Sequence, residues 1–488
     1  MKPLKQAYEQ FFLMGTAIEP RSLTGERFEH VKAQYNTITA ENCMKPIHVQ
    51  AKPGVFTFEK GDALIKEAQA NGMHIHGHTL VWHQQSPEWQ TKDADRETAI
   101  KNMEDHIKAV LTHNKGLMIS WDVVNEAFKD GDDIQGDPND WRAALRPSPW
   151  LKAIGDDYIQ IAFELAKKYD DKPVLYYNDY NLNNPKKRQA VYAMAKELRE
   201  KGVPIEGIGM QGHYNLGTSL TEVEDSIKLF ASLGTEISIT ELDVMVNEAQ
   251  GQTSLDQTQE IYQAIRYAHL FELFKKYSQV IARVTLWGVD DPTSWRHFMF
   301  PLLFNGDYSP KLSAIAVADT AAFLEQHKNT EPYVAKAVKV AQSQHATIIP
   351  MTERPDPVWQ KTTVIKANNY TTAWNGASAE VRTIWDPAYL YLQAEITTQN
   401  EVHPDTVVIE LAGTTFNSEK AAVLKQDMGY LVEITLPWGQ IGIIPHEGVL
   451  MRYNVTINDR DKNGEIQSIA KWVTTEVGQM EIKNLKFT

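Results

Sequence analysis

Along the first two thirds of the chain, short apolar runs alternate with segments whose apolar residues recur every three or four positions. The runs read as strands: FFLMGTAI (11–18), NTITAEN (36–42), HIHGHTLVWH (74–83), ISWDVVNEAF (119–128), VLYYNDYN (174–181), GIGMQGHY (207–214), EISITELDV (236–244) and ARVTLWGVDD (282–291). Between them lie helical patterns such as DDYIQIAFELAKKYD, where Tyr158, Ile161, Ala162 and Leu165 follow the i, i+3, i+4, i+7 rule. SAIAVADTAAFLEQH reads as a last helix ending near residue 327. Eight strands alternating with helices predict a (β/α)₈ barrel. An open doubly wound sheet alternates in the same way, but no glycine-rich phosphate fingerprint follows the first strand. The reactive residues gather at the C-terminal ends of the runs: Glu41-Asn42, His78, Asn125-Glu126, Asp179, Gln211 and His213, Glu241, and Trp287. That is the face on which barrels assemble their sites.

The pattern changes after the barrel. HATIIPMTERPDPVWQ, from about residue 346, reads as a linker, and beyond it VRTIWDPAYLYLQAEI, TVVIELAG, YLVEITLPW and MRYNVTINDRDKNGE are short strands and turns. The expected division is a barrel over 1–330, a helix and linker over 331–358, and a smaller all-β sandwich over 359–488.

Composition narrows the chemistry. A net charge of −14 argues against nucleic acid or an anionic membrane as a partner, since both demand clustered Lys and Arg. A neutral polymer fits better. The single cysteine, Cys43, allows no intrachain disulfide, and no apolar run is long enough to span a bilayer. The start, MKPLKQAYEQFFLMGTAI, does not have the layout of a secretory leader, so the expected location is the cytoplasm, with secretion after leader removal as the alternative. Oligomeric state is not legible.

GMHIHGHTLVWH raises the question of a metal. His74, His76 and His78 share a strand face, but strand rise puts the first and last about 13 Å apart, so three cannot ligate one ion. The stronger pair is carboxylic. WDVVNEAF and ITELD each present a glutamate, Glu126 and Glu241, at the end of the fourth and seventh strands, which face each other across a barrel mouth. Glycosidic bond cleavage needs two such groups: one protonates the leaving oxygen, the other attacks the anomeric carbon or activates water. No cofactor is required for that chemistry.

Here the sequence resembles glycoside hydrolase family 10, the retaining endo-β-1,4-xylanases. The resemblance covers residues 9–325 through TAENCMKP, GHTLVWHQQSPEW, WDVVNEAF, RPSPWLKAIGDDYI, YNDYN, GIGMQGH, ITELD and TLWGVDDPTSWR followed by PLLF. It implies Glu126 as general acid/base, Glu241 as nucleophile, His213 as the hydrogen-bond partner of the nucleophile, and Asn125 as the residue holding the sugar 2-hydroxyl. It further implies that Glu41, Asn42, Lys45, His78, Trp82, Gln85, Gln211, Trp287 and Trp295 line the sugar subsites, with His78 a hydroxyl donor and His74 and His76 packing deeper on the strand. The sequence departs from the family in having His76 where an arginine usually precedes this glycine, and Lys45-Pro46 where an aromatic usually follows the lysine. Activity on another β-linked glucan, or a carbohydrate-binding protein without catalysis, are the rival readings; a metal-dependent amidohydrolase is a distant third.

The C-terminal part is similar to carbohydrate-binding module family 9, carried by VRTIWDPAYLYLQAEIT, YLVEITLPW, YNVTINDRDKNGE and SIAKW. Trp374, Trp385 and Trp472 are its candidate stacking residues, with the sandwich core as their other destination. Asp459-Arg-Asp461-Lys-Asn463-Gly464 mimics the start of a calcium loop, but residue 470 is Ala where the closing Glu belongs, so a hairpin turn is expected and a structural Ca²⁺ is not predicted.

Overall fold

The computed structural model describes residues 1–249, 252–335, 338–346, 348, 351, 354–370, 376–398, 406–418, 421–426, 429–460, 466–473 and 477–483. Two compact units divide the chain: Met1–Met245 with Gln257–Tyr333, and Val246–Asp256 with Val334–Thr488.

The first unit is a closed barrel. Its strands are β1 (Leu13–Ile18), β2 (Thr37–Ala40), β3 (His74–Trp82), β4 (Ser120–Asn125), β5 (Val174–Asp179), β6 (Gly207–Met210), β7 (Glu236–Met245) and β8 (Ile281–Leu286). All neighbours pair in parallel, and β8 returns to β1. A short strand, His213–Asn215, pairs with the end of β7.

Both glutamate strands locally carry one residue more than their neighbour, shortly before Glu126 in one and around Glu241 itself in the other. Against β5, Asp122 faces Tyr176 but Val124 faces Tyr177; against β8, Ile239 faces Val284 but Leu242 faces Leu286. Such a bulge breaks the two-residue alternation of a strand and re-aims the side chains beyond it. Asp122 and Asn125, three apart, are thereby both engaged with polar partners of the barrel interior.

The helices that cover the barrel follow the expected pattern with one rotation. In Tyr158–Tyr169 the buried residues are Tyr158, Ile159, Ala162, Phe163 and Ala166. The stripe is thus turned towards Phe163, and Ile161 and Leu165 sit at its half-buried edges. SAIAVADTAAFLEQH forms two helices, Leu312–Ala318 and Thr320–Gln326. The break falls at Asp319, whose carboxylate accepts from the Ala322 amide and caps the second helix.

The second unit is all-β. Its main strands are β9 (Val338–His345), β10 (Ser378–Trp385), β11 (Tyr389–Thr397), β12 (Thr406–Leu411), β13 (Gly429–Pro437), β14 (Leu450–Arg460), β15 (Ile466–Lys471) and β16 (Val477–Lys483). All but β12 lie on one hydrogen-bonded path that curls, and β12 pairs with β14, so that β10, β11 and β13 share a core with β12, β14 and β16. Residues 338–345, expected as helix and linker, instead form β9, parallel to β16 and briefly to β10. Ala341 and Ser343 are buried while Val340 is exposed and Gln342 and Gln344 are half-buried, a two-residue alternation that the later prolines obscured.

Candidate active site

The expected site residues sit together. All thirteen line one cleft of about 560 Å³. Gln84, Tyr180, Asn181, Asn215, Met245 and Arg296 complete its walls and were not anticipated.

Glu126 is half-buried at the end of β4. Its Oε2 accepts from Trp82 Nε1 at 2.9 Å and its Oε1 from Gln211 Nε2 at 2.9 Å. Burial first, then the nearby Asp179 and Glu241, raise its proton affinity above that of an ordinary glutamate; the two hydrogen bonds oppose this without cancelling it. Glu241, on β7, has Oε1 held by Asn178 Nδ2 at 2.9 Å and Oε2 facing His213 Nε2 at 3.3 Å. Asn178 also donates to Asn125 Oδ1 at 2.9 Å and accepts from Thr240 at 2.6 Å. A side chain at Gly209 would put its Cβ 2.3 Å from the Asn178 amide oxygen, so only glycine leaves room for this bridge.

His213 sits between two carboxylates, with Nδ1 2.9 Å from Asp243 Oδ2. Burial would lower its pKa, but Asp243 and Glu241 outweigh burial and raise it to about 9. The ring is therefore cationic at neutral pH and donates to both carboxylates. Trp295 Nε1 adds a second donor to Asp243 at 3.1 Å.

On the opposite wall, His78 Nδ1 lies 2.9 Å from Asp122 Oδ2. Lys45 donates to Asn42 at 2.9 Å and stands 5.1 Å from the Trp82 ring centre. Asn42 in turn donates to Glu19 at 2.7 Å.

His76 is buried, with its ring nitrogens at Ser120 Oγ (2.7 Å) and Asp122 Oδ2 (3.0 Å). Arg283, on β8, is buried too and donates to the same Ser120 hydroxyl at 3.1 Å. His74 does not pack: it is exposed at the start of β3. Among the described residues, no cluster of three His, Cys, Asp or Glu side chains is arranged around a metal position, and no helix is long and apolar enough to cross a membrane.

In the second unit, Trp385 and Trp472 are core residues, 4 % and 7 % exposed, so neither offers a free face. Trp374 lies outside the described residues, as do Asp461, Asn463 and Gly464. Asp459 is turned inward, accepting from Ser468 Oγ and the Ala377 amide at 3.1 Å each.

A (β/α)₈ barrel with two glutamates in different hydrogen-bond settings, set among tryptophans at the C-terminal mouth, defines the class of carbohydrate-cleaving barrels. Residues 3–320 match the glycosyl hydrolase family 10 model, and the chain belongs to that family. Residues 352–408 match a model described as carbohydrate family 9 binding domain-like. Similar curated proteins include the exoglucanase XynX of Acetivibrio thermocellus and endo-1,4-beta-xylanase A of Thermoanaerobacterium saccharolyticum, each 32 % identical over 96 % of this chain. The chain spans 44 % and 41 % of their lengths. A beta-1,4-xylanase of Dictyoglomus thermophilum is 38 % identical over 63 % of this chain and 88 % of its own. Among solved structures, TsXylA, an intracellular xylanase of Thermoanaerobacterium saccharolyticum complexed with xylotriose, superposes with a TM-score of 0.60 at 36 % identity, covering 65 % of this chain and 98 % of that one. A psychrophilic family 10 endo-beta-1,4-xylanase gives 0.61 at 38 % identity, covering 65 % and 99 %.

Proposed function

We propose that this chain is a retaining endo-β-1,4-xylanase acting on xylan or xylo-oligosaccharides. The observation that carries the reading is the unequal setting of Glu126 and Glu241 in one cleft. Glu126, made a weaker acid by burial and by Asp179, gives its proton to the glycosidic oxygen as the bond to the anomeric carbon breaks. Glu241 supplies the electron pair that forms the new ester bond, its oxygens oriented by Asn178 and His213. With Glu241 then neutral, Glu126 is a carboxylate beside one negative charge fewer. It takes a proton from water, whose oxygen attacks the anomeric carbon and expels Glu241 as a carboxylate. The sugar keeps its β configuration.

No step asks for a metal, and EDTA is expected to leave the rate unchanged. The lone, buried Cys43 and the xylotriose-bound intracellular relative support a cytoplasmic enzyme fed with short oligosaccharides. A much higher rate on long insoluble xylan would count against that preference.

The deciding experiment is a proton NMR time course of xylohexaose hydrolysis, read before mutarotation. New β-anomer first establishes activity and retention. New α-anomer means inversion and removes Glu241 from the nucleophile role. An unchanged spectrum sends the chain to another sugar or to binding alone. The exoglucanase relative is the reason to run β-glucan and an aryl cellobioside in parallel.

A further inference from the structure

Behind Glu126 lies a buried charged cluster that the proposed reaction does not consume. Asp179, at the end of β5, has no exposed surface. Its Oδ1 pairs with Lys187 Nζ at 2.8 Å and accepts from the Tyr180 amide at 2.9 Å; its Oδ2 accepts from the Tyr177 hydroxyl at 2.5 Å. Lys187 is likewise fully buried, which lysines rarely are without a counter-charge. It comes from the first turn of the helix Pro185–Glu200, where Asn184 accepts from the amides of Lys186 and Lys187. Its ammonium also lies 3.6 Å from the Tyr180 ring centre, and Tyr180 lines the cleft.

The cluster reaches Glu126 through the backbone. The Tyr177 hydroxyl that donates to Asp179 accepts the amide of Ala127 at 3.0 Å, immediately after Glu126. Glu126 itself has φ +57°, a left-handed conformation that a residue with a side chain keeps only when its surroundings hold it. Its own amide donates to Asn178 O at 2.9 Å. Arg146 closes the other side, donating to the Tyr180 hydroxyl at 2.7 Å and to the Glu126 carbonyl at 3.4 Å.

We propose that Lys187 and Asp179 form a positioning pair for Glu126, the clamp fixing its backbone and the balance of their two charges setting how tightly Glu126 holds its proton. The proposal rests on Glu126 being the acid/base residue. After burial, Asp179 is the strongest influence raising the proton affinity of Glu126, ahead of Glu241. Around Asp179 the other titratable or charged groups are Arg146, Tyr177, Tyr180 and Tyr158, with Asp130 3.8 Å from Lys187. His83 lies within the influence of Arg146 and Lys187, and on the cleft side Glu126 meets Glu241 and Lys45. None of these residues is substituted in the variants below, so the direction of a shift reports the pair.

The test is the pH dependence of kcat/KM on xylohexaose for Lys187→Met, Asp179→Asn and the double variant. Its basic limb reports loss of the Glu126 proton. Asp179→Asn leaves an extra positive charge beside Glu126, so the limb moves to lower pH; Lys187→Met leaves an extra negative charge, so it moves to higher pH. Each shift is expected to be about half a unit to one unit at an effective dielectric near 20. The double variant removes both charges, and its limb returns towards that of the wild type while kcat falls with the lost clamp. Single variants whose limbs stay within about 0.2 unit of wild type, or move in the same direction, overturn the proposal. Lys187→Gln, which keeps a donor to Asp179 without the charge, replaces the methionine variant if that one does not fold. Absence of turnover by the wild type would be a failure of the xylanase reading instead. A ¹³C carboxyl titration of Glu126 in the same variants then tests the pair without needing turnover.

Discussion

Trp295, at the barrel mouth, keeps 49 % of its surface exposed, whereas Trp385 and Trp472 in the all-β unit keep 4 % and 7 %. In the sequence all three are tryptophans at or just beyond the end of an apolar run, and each could be assigned to sugar stacking. The architecture separates them. Parallel strands of a closed barrel all end at one concave face, so a side chain in the loops there has a cleft to line. In the curled sheet, the end of β10 still belongs to the alternating inward face. Trp385 accordingly enters the core and donates from Nε1 to the Lys483 carbonyl at 3.0 Å. The position of a tryptophan relative to a strand end carries functional meaning only when the fold makes that end a site.

The largest effects should come from removing the carboxyl groups. Glu126→Gln is expected to lower kcat/KM by roughly 10²–10⁴-fold, the usual contribution of a positioned general acid, and Glu241→Gln by at least as much. Thermal unfolding should change little for either. Trp385→Ala is the converse: about 3–5 kcal/mol of stability lost from the C-terminal unit, as for other large-to-small core changes, with kcat on xylohexaose retained. Calorimetry alongside the activity assay checks both. If Trp385→Ala abolished retention on a polysaccharide column while its unfolding transition stayed put, the contrast between the two tryptophan sets would be wrong.

His213 gives the comparison a pH dependence. Its pKa, raised from 6.5 to about 9 in the folded barrel, adds stability that is complete below about pH 6.5 and is lost as pH rises through about 9. The full swing is on the order of 3 kcal/mol. Denaturant unfolding of the barrel at about pH 6 and about pH 10 should show this slope, and His213→Gln should flatten it. An equal slope in the variant would mean that His213 is neutral in the fold.

Much of this barrel was legible because its signal is repeated. Seven of the eight runs carried reactive residues at their C-terminal ends, and every residue assigned to the cleft from such an end or from the loops beyond lines it. The supporting residues were harder to see for specific reasons. Lys187 stands in PKKR, a charge run that ordinarily faces solvent, and only the Asn184 cap and the approach of that first turn to Asp179 bury it. Asn178 and Asp243 lie on strands already singled out, but the bulges that aim the side chains beside Thr240 and Glu241 leave no mark in a two-residue pattern. β9 was hidden by its neighbourhood: the prolines after residue 346 made the whole stretch read as linker.

The smallest effect expected is also the most direct check on the tryptophan contrast. Trp295 packs its ring edge against His213, with centroids 5.1 Å apart, and its Nε1 donates to Asp243. Its exposed half is the part that a sugar ring would cover. Burying a whole aromatic side chain contributes about 1.5–3 kcal/mol, so covering half of this one should contribute about 1 kcal/mol, or roughly fivefold in affinity. Trp295→Ala should therefore raise KM for xylohexaose about fivefold, with kcat changing less than KM. The same substitution should cost the barrel far less stability than Trp385→Ala costs the C-terminal unit, because little of the ring is in a core. Steady-state kinetics with a parallel unfolding scan decides it. An unchanged KM would leave the exposed face of Trp295 with no part in sugar binding.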